Sequence, residues 1–191
     1  MRILLLLLFS LFSFAQANIN SILKQYRFSQ IKFEQETYFK DLNEKQKFKG
    51  SIYIQKSTLK LEYIQPYKQI IFVKNKKVYI YSPQENQLVI TNQNRDFAIL
   101  NVLRILSGED KIDKFFRIKL LDKDIYLLVP KKKSSIKQIK LFTNGNKITK
   151  IEVQDKDGNI LIVKLNKQIL NKPLKLDLKI PNNVDVLDYS K

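Results

Sequence analysis

Two kinds of residue grouping in this chain could do chemistry. The pattern Ser-x-x-Lys occurs as Ser21–Lys24, Ser57–Lys60 and Ser134–Lys137; in some acyl-transferring enzymes such a lysine activates the serine. Close carboxylates occur as Glu34/Glu36, Asp122/Asp124 and Asp155/Asp157, the residue type that glycoside hydrolysis needs in pairs. The setting argues against both. The serine–lysine enzymes also carry Ser-Asp-Asn and Lys-Thr-Gly elements, which this chain lacks. Chance produces the spacing readily in a lysine-rich chain, and in a strand Ser57 and Lys60 would point to opposite faces. Asp122/Asp124 and Asp155-Lys156-Asp157-Gly158-Asn159 read as solvated hairpin turns. The second is not a calcium loop, because its glycine comes too early and Asn166 stands where a bidentate Glu is required. There is no histidine and no cysteine, which removes Ser-His triads, thiol nucleophiles and the usual zinc ligands. The reading is a non-enzyme with no catalytic residue, no metal site and no cofactor.

The elements around these residues are built for burial. From Phe48 to Thr91 the chain reads KFKGSIYIQ, TLKLEYIQP, QIIFVKN, KKVYIYSPQEN and QLVIT. These are five strand-like runs rich in Ile, Val, Tyr, Phe and Leu, with turn residues between them. No helix separates them, so neighbours should pair antiparallel as a meander. A helix is expected before it, about Ile19 to Phe28, then a strand about Gln30 to Phe39 and a polar loop. After the meander come a helix of about Arg95 to Ser107, capped by Gly108, and a turn near Asp110 to Lys114. Strands are then expected at Phe116–Leu121, Ile125–Val129, Ile136–Thr143, Lys147–Gln154, Ile160–Leu165 and Leu174–Ile180, with hairpin turns at Gly145 and Gly158.

Patterning within the elements bears on function. Leu59, Leu61 and Tyr63 alternate with Lys60 and Glu62, which predicts that the three share an interior face. Ile70-Ile71-Phe72-Val73 and Val78-Tyr79-Ile80-Tyr81 are apolar on both faces, and the second helix is apolar nearly all round, interrupted only by Asn101 and Arg104. A strongly curved sheet with helices in its concave side satisfies both facts. The patterning alone leaves two options open, a dry core or an apolar cavity between helices and sheet.

The termini and the charge point to a compartment. Arg2, the apolar run Ile3 to Phe14 and the A-x-A of Ala15-Gln16-Ala17 read as a signal peptide over residues 1–17. The run is shorter than the ~20 residues needed to span a bilayer. Residues 18–191 then form one domain, exported and without disulfides. Absence of cysteine also removes the lipid-attachment residue of a lipoprotein precursor. The net charge of +17 would often mean nucleic acid, but export argues against that partner. Acidic proteins and anionic head groups remain.

Several segments resemble the outer-membrane lipoprotein carrier family, the periplasmic LolA type. Phe33-Glu34-Gln35 is similar to its Phe-x-Gln first strand, and Phe48-Lys49-Gly50-Ser51-Ile52-Tyr53-Ile54 to its second. Leu59 to Pro66 resembles the run ending W-x-Y-x-x-P, and Lys76 to Pro83 the hairpin that ordinarily carries glycine where Lys76 stands. Ile180-Pro181-Asn182-Asn183-Val184-Asp185-Val186 resembles the closing P-x-G-V-x-V. Lys76 is tolerable if the turn type differs. The family's Arg-Pro after the second strand reads Lys56-Ser57, so the lid-holding arginine would be Lys56, a cation without the planar fork of donors.

The resemblance implies a mainly β fold: an unclosed antiparallel β-barrel under a helical lid, enclosing an apolar cavity. It implies a monomeric periplasmic carrier of acylated lipoproteins, loaded by an inner-membrane exporter and unloaded at an outer-membrane receptor, with transient membrane-proximal contacts. The cavity would be lined by Phe33, Ile52, Ile54, Leu59, Leu61, Tyr63, Phe72, Ile80, Phe97, Leu100 and Leu103. Lys56 would gate the lid, and Lys74, Lys76 and Lys77 would meet the partners. Two other readings stand beside it: a binder of lipopolysaccharide or phospholipid, whose phosphates suit the charge, and a sensor or scaffold that carries nothing.

Overall fold

The computed structural model describes residues 19–92, 98–108 and 111–190. The expected signal peptide 1–17, Phe97 and the expected start of the second helix at Arg95 lie outside the described residues.

The meander forms as its alternation dictates. β1 (Phe28–Phe39), β2 (Glu44–Gln55), β3 (Thr58–Gln65), β4 (Gln69–Lys74), β5 (Lys77–Ser82) and β6 (Gln87–Asn92) pair antiparallel in sequence order. Half of the expected polar loop before the meander is strand, since β2 begins at Glu44. A second run, β7 (Phe116–Asp122), β8 (Ile125–Pro130), β9 (Ile136–Asn144), β10 (Lys147–Asp155) and β11 (Ile160–Leu170), pairs likewise, and β11 closes onto β1. A short β12 (Asp185–Asp188), not foreseen from the sequence, lies parallel to β6. One sheet of 12 strands results, with β12 and β7 as its unjoined ends. The barrel is unclosed.

Two helices fill the concave side. The first, α1 (residues 19–24), runs into a 3-10 turn at Gln25–Arg27. Ile19, Ile22, Leu23 and Tyr26 fall at helical spacing and are all buried. The second, α2 (Ala98–Ser107), buries Leu100, Val102, Leu103, Ile105 and Leu106. Both join one apolar core with inward residues of strands as distant as β5 (Val78) and β7 (Ile118), so the sheet curves around them. Leu59, Leu61 and Tyr63 are buried on that inner face, while Lys60 and Glu62 form a 2.6 Å ion pair on the outer one. The register read from alternation is correct.

Two glycines allow close approaches. A Cβ on Gly50 would come within 2.0 Å of the Glu62 carbonyl oxygen and 2.9 Å of the Phe33 ring. Gly50 sits at the register shift between β2 and β3, where the sheet bends tightly. Gly108 ends α2 at φ +56, and a Cβ there would lie 2.5 Å from the Leu23 carbonyl oxygen. The C-terminus of α2 is thereby pressed against α1. By contrast, Lys76 keeps the left-handed turn geometry without glycine, at φ +63 beside Asn75 at φ +52. The strain of a side chain at positive φ is accepted there.

Tyr26 joins the helix to the sheet. The β9–β10 ladder shifts register after Ile148, and the β1–β11 ladder shifts after Ile31, which frees backbone groups in the core. The Ile148 N–H donates to the Tyr26 hydroxyl at 2.7 Å, and that hydroxyl donates to Gln168 Oε1 at 2.7 Å. Gln168 Nε2 in turn donates to the Ile148 carbonyl at 2.8 Å. Burial pushes the Tyr26 phenol up to about 12, the Ile148 hydrogen bond opposing it.

The runs apolar on both faces are explained by the C-terminal segment. Leu174–Ile180 is not the expected strand; it forms no ladder. Lys172 N donates to the Phe28 carbonyl (3.1 Å), Leu174 N to Gln55 Oε1 (2.8 Å) and, further on, Asp185 N to the Asn86 carbonyl (2.9 Å). The segment thus starts at β1 and β2, ends at β6, and must cross β3 to β5. The helices occupy the inner face, so the strap takes the outer one. Leu174, Leu176, Leu178 and Ile180 are half-buried, with exposed residues between them. Phe72, Tyr81 and Leu88, on the outward face of β4 to β6, are buried yet outside the main core.

Two measurements check this. The double variant Leu176→Asp, Leu178→Asp should lower the unfolding free energy by about 2 kcal/mol, as half-buried apolar area is lost, and should increase binding of a hydrophobic dye. Denaturant titration reads the first effect; an unchanged midpoint would mean the strap covers nothing. For Tyr26, the folded-state value lies above the free value of 10.0, so its contribution is whole below pH 10 and is lost as pH rises toward 12. Tyr26→Phe should cost ~1–2 kcal/mol at neutral pH. Between pH 10 and 12 the variant should lose ~2–3 kcal/mol less than the wild type.

Candidate functional site

The inner face of the meander is not filled everywhere. Between it and the first turn of α2 lies a cavity of about 240 Å³, lined by Phe48, Tyr63, Tyr67, Gln69, Ile71, Val78, Ile80, Ile99 and Leu100. Strand alternation supplies most of this lining. Ile71 pairs across from Ile80, and Leu61 from Ile71, so these residues share the inward face. Phe48 stands opposite Gln35 on β1, and Tyr67 comes from the turn between β3 and β4.

One wall is aromatic. The rings of Phe33 and Tyr63 lie 5.7 Å apart, those of Phe48 and Tyr63 5.3 Å, and Phe48 meets Tyr67 edge-on at 6.1 Å. Each such pair adds ~0.5–1.5 kcal/mol beyond area burial, so this wall is stiff. The Tyr63 hydroxyl donates to Gln35 Oε1 at 2.9 Å, and Gln35 Nε2 donates to Thr37 Oγ1 at 3.1 Å. Burial, with the Tyr67 phenol close by, raises the Tyr63 pKa well above the usual phenol range, against the Gln35 hydrogen bond. It stays neutral at any physiological pH. The opposite wall is different. It is one turn of a short helix, contributing Ile99 and Leu100; further along, the helix packs Val102, Leu103 and Leu106 into the core and meets Leu23 at Gly108.

Most of the cavity wall is hydrocarbon, so the cavity suits an apolar guest. Its volume falls below the ~300–1,000 Å³ of sites that enclose a drug-sized ligand, so a long apolar chain enters only if α2 moves aside. Among the described residues no group of three or more Asp or Glu could hold a metal ion.

The residues singled out from the sequence divide clearly. Tyr63, Ile80 and Leu100 line the cavity. Phe33, Ile52, Ile54, Leu59, Leu61 and Leu103 are buried in the core continuous with it. Phe72 is not brought to it; it pairs with Lys60 and Tyr79 on the outward face, its ring 6.2 Å from that of Tyr79. Phe97 lies outside the described residues. Lys56 is exposed in the β2–β3 turn at φ +55, its N–H donating to the Arg27 carbonyl at 2.8 Å beside the end of α1. Lys74 and Lys76 are exposed and Lys77 half-buried at the β4–β5 turn. Phe48, Tyr67, Gln69, Ile71, Val78 and Ile99 were missed. Parity with Leu61 would have found Ile71 and Val78; flanking Lys47 and Lys49 hid Phe48, and a turn residue such as Tyr67 has no parity to read.

Comparison with known proteins agrees with this architecture. The family described as outer membrane lipoprotein carrier protein LolA matches residues 24–178. An outer-membrane lipoprotein carrier protein of Francisella philomiragia is 33% identical over 140 residues, covering 66% of this chain and 64% of that protein. One from Francisella tularensis is 28% identical over 131 residues, with the same coverage. The chain thus spans about two thirds (64%) of the length of these curated relatives. Among solved structures, an uncharacterized conserved protein from Thermus thermophilus superposes with a TM-score of 0.56 at 12% identity, over 90% of this chain and 98% of that one; this is likeness of fold.

A movable roof would have an observable consequence. Amide hydrogen exchange across α2 should be faster than across β2 and β3, and should slow when a detergent with a long alkyl chain fills the cavity. Equal protection of α2 and the central strands, with and without detergent, would describe a static core helix.

Proposed function

The chain belongs to the outer membrane lipoprotein carrier protein family, and from that premise we propose that it carries acylated lipoproteins through the periplasm, their acyl chains held under α2. The observation that carries this reading is the apolar cavity with one stiff aromatic wall and one wall made of a single helical turn. Each acyl CH₂ kept from water is worth ~0.8 kcal/mol, so transport through an aqueous compartment requires such a cavity. Exchange between membranes also requires that it open without a chemical step, and rotation or lifting of α2 would suffice. In this reading residues 1–17 direct export, an inner-membrane exporter loads the carrier, and an outer-membrane receptor unloads it. Lys56, beside the end of α1, is the candidate to hold the lid with a single cation. Among the described residues no helix is long and apolar enough to cross a membrane.

The net charge of +17 favours a second reading, a carrier of phosphate-bearing amphiphiles. Mass spectrometry of lipid co-purifying with the protein decides between them. Acylated peptide supports the first reading and phospholipid or lipopolysaccharide the second; no bound amphiphile after gentle purification from the periplasm counts against both.

The exposed turn at Lys74, Lys76 and Lys77 is assigned to partner encounter, not cargo. Acyl chains offer no charge to attract it, whereas clustered charge steers association over roughly a Debye length, ~8 Å at physiological salt. Replacing all three by Gln should slow association with the exporter or receptor several-fold at low salt, less at high salt, and leave lipid occupancy unchanged. Stopped-flow or surface-binding kinetics would show it; loss of bound lipid would place the lysines in the cargo site.

A further inference from the structure

The cavity carries its polar atoms on Tyr63, Tyr67 and Gln69, and their states differ. The Tyr63 proton is committed to Gln35, whose own amide is committed to Thr37. Tyr67 is 44% exposed, so the part of the cavity it lines is the mouth, and its ring is set edge-on against Phe48. Among the described residues its hydroxyl has no hydrogen-bond partner. Gln69 reaches Ser82 only through Nε2, at a long 3.4 Å, which leaves Oε1 without a protein partner among the described residues. The mouth therefore presents one open donor and one open acceptor, and the rest of the lining away from Tyr63 is hydrocarbon.

We propose that Tyr67 and Gln69 form a polar collar that recognises the carbonyl-bearing linkage of the bound acyl chain, the Tyr67 hydroxyl donating to an ester carbonyl and Gln69 Oε1 accepting from an amide N–H. This deepens the carrier reading and rests on it. Water satisfies both groups when the cavity is empty. A hydrocarbon chain passing beside them displaces that water, and a linkage that cannot replace its hydrogen bonds leaves polar groups unpaired. An ester- or amide-linked chain restores them; an ether-linked chain of the same length cannot. The collar is a selectivity device at the point where hydrocarbon meets head group.

The experiment compares two fluorescent probes on the purified protein. One is a synthetic lipopeptide with ester- and amide-linked palmitoyl chains, and the other its analogue with every such linkage replaced by an ether. Wild type should favour the carbonyl probe about tenfold or more. Tyr67→Phe and Gln69→Leu should each weaken the carbonyl probe by about 3- to 10-fold and leave the ether probe within about twofold. Both positions are at least partly exposed, and an unchanged melting temperature verifies folding. Equal affinity of wild type for the two probes, or equal loss of both in the variants, overturns the collar while the carrier reading stands. A wild type that binds neither probe overturns the carrier reading, and the collar with it.

Discussion

An open sheet cannot cover its own concave face. Closing a barrel lets inward side chains meet each other across the axis, but here β12 and β7 do not join, so other elements must exclude water. The helices do this on the inside and the C-terminal strap on the outside, and each covers apolar surface the sheet cannot hide. The coverings differ in their attachment. The strap is tied at both ends by hydrogen bonds from its backbone N–H groups, to the Phe28 carbonyl of β1 and the Gln55 side chain of β2 at its start and to the Asn86 carbonyl beside β6 at its end, and it belongs to the permanent structure. At its end α2 is pressed into place at Gly108, while Ile99 and Leu100 of its first turn face the cavity with apolar side chains.

In the proposed carrier, this asymmetry would let one fold be both stable and able to open. Tyr26 and Gln168 satisfy the backbone groups freed where the ladders slip, and they bind α1 to β10 and β11 through directional contacts that tolerate little movement. Apolar contacts at Ile99 and Leu100 are non-directional and can be exchanged for similar contacts with a hydrocarbon chain at small net cost. The aromatic wall of Phe33, Tyr63 and Phe48 keeps the shape of the cavity while its roof is displaced. The charged outer face contributes less to stability: pairs such as Lys49–Glu34 at 3.5 Å and Lys140–Glu152 at 3.7 Å are partly solvated and individually worth little. Their role is to keep that face soluble where no strap covers it.

Much of the fold was legible because strands carry a period of two. Leu59, Leu61 and Tyr63 announced their face, and Pro and Gly punctuation located nearly every strand of the main ladder. The same rule misled at Leu174–Ile180, whose alternation comes from lying across a sheet and not from pairing within one; burial on one side produces the same pattern in both cases. Phe72 was misplaced for a related reason. In Ile70 to Val73 every position is apolar, so parity had no contrast to act on, and only the strap explains why the outward pair is apolar too.

Composition and periodicity by themselves determined the broad outcome: no histidine or cysteine, hence no Ser-His triad and no thiol nucleophile; a meander of alternating strands; and a helix too apolar to lie on a surface. Those properties are local, set by residue type and by neighbours two to four positions away. Tertiary structure alone decided which apolar residues border space and which border each other. Phe48, Tyr67 and Ile99 come from a strand, a turn and a helix far apart in the chain, and they meet because β2 and β3 bend at Gly50 and α2 is fixed at Gly108. A cavity is a failure of packing between distant elements, and no local pattern records it.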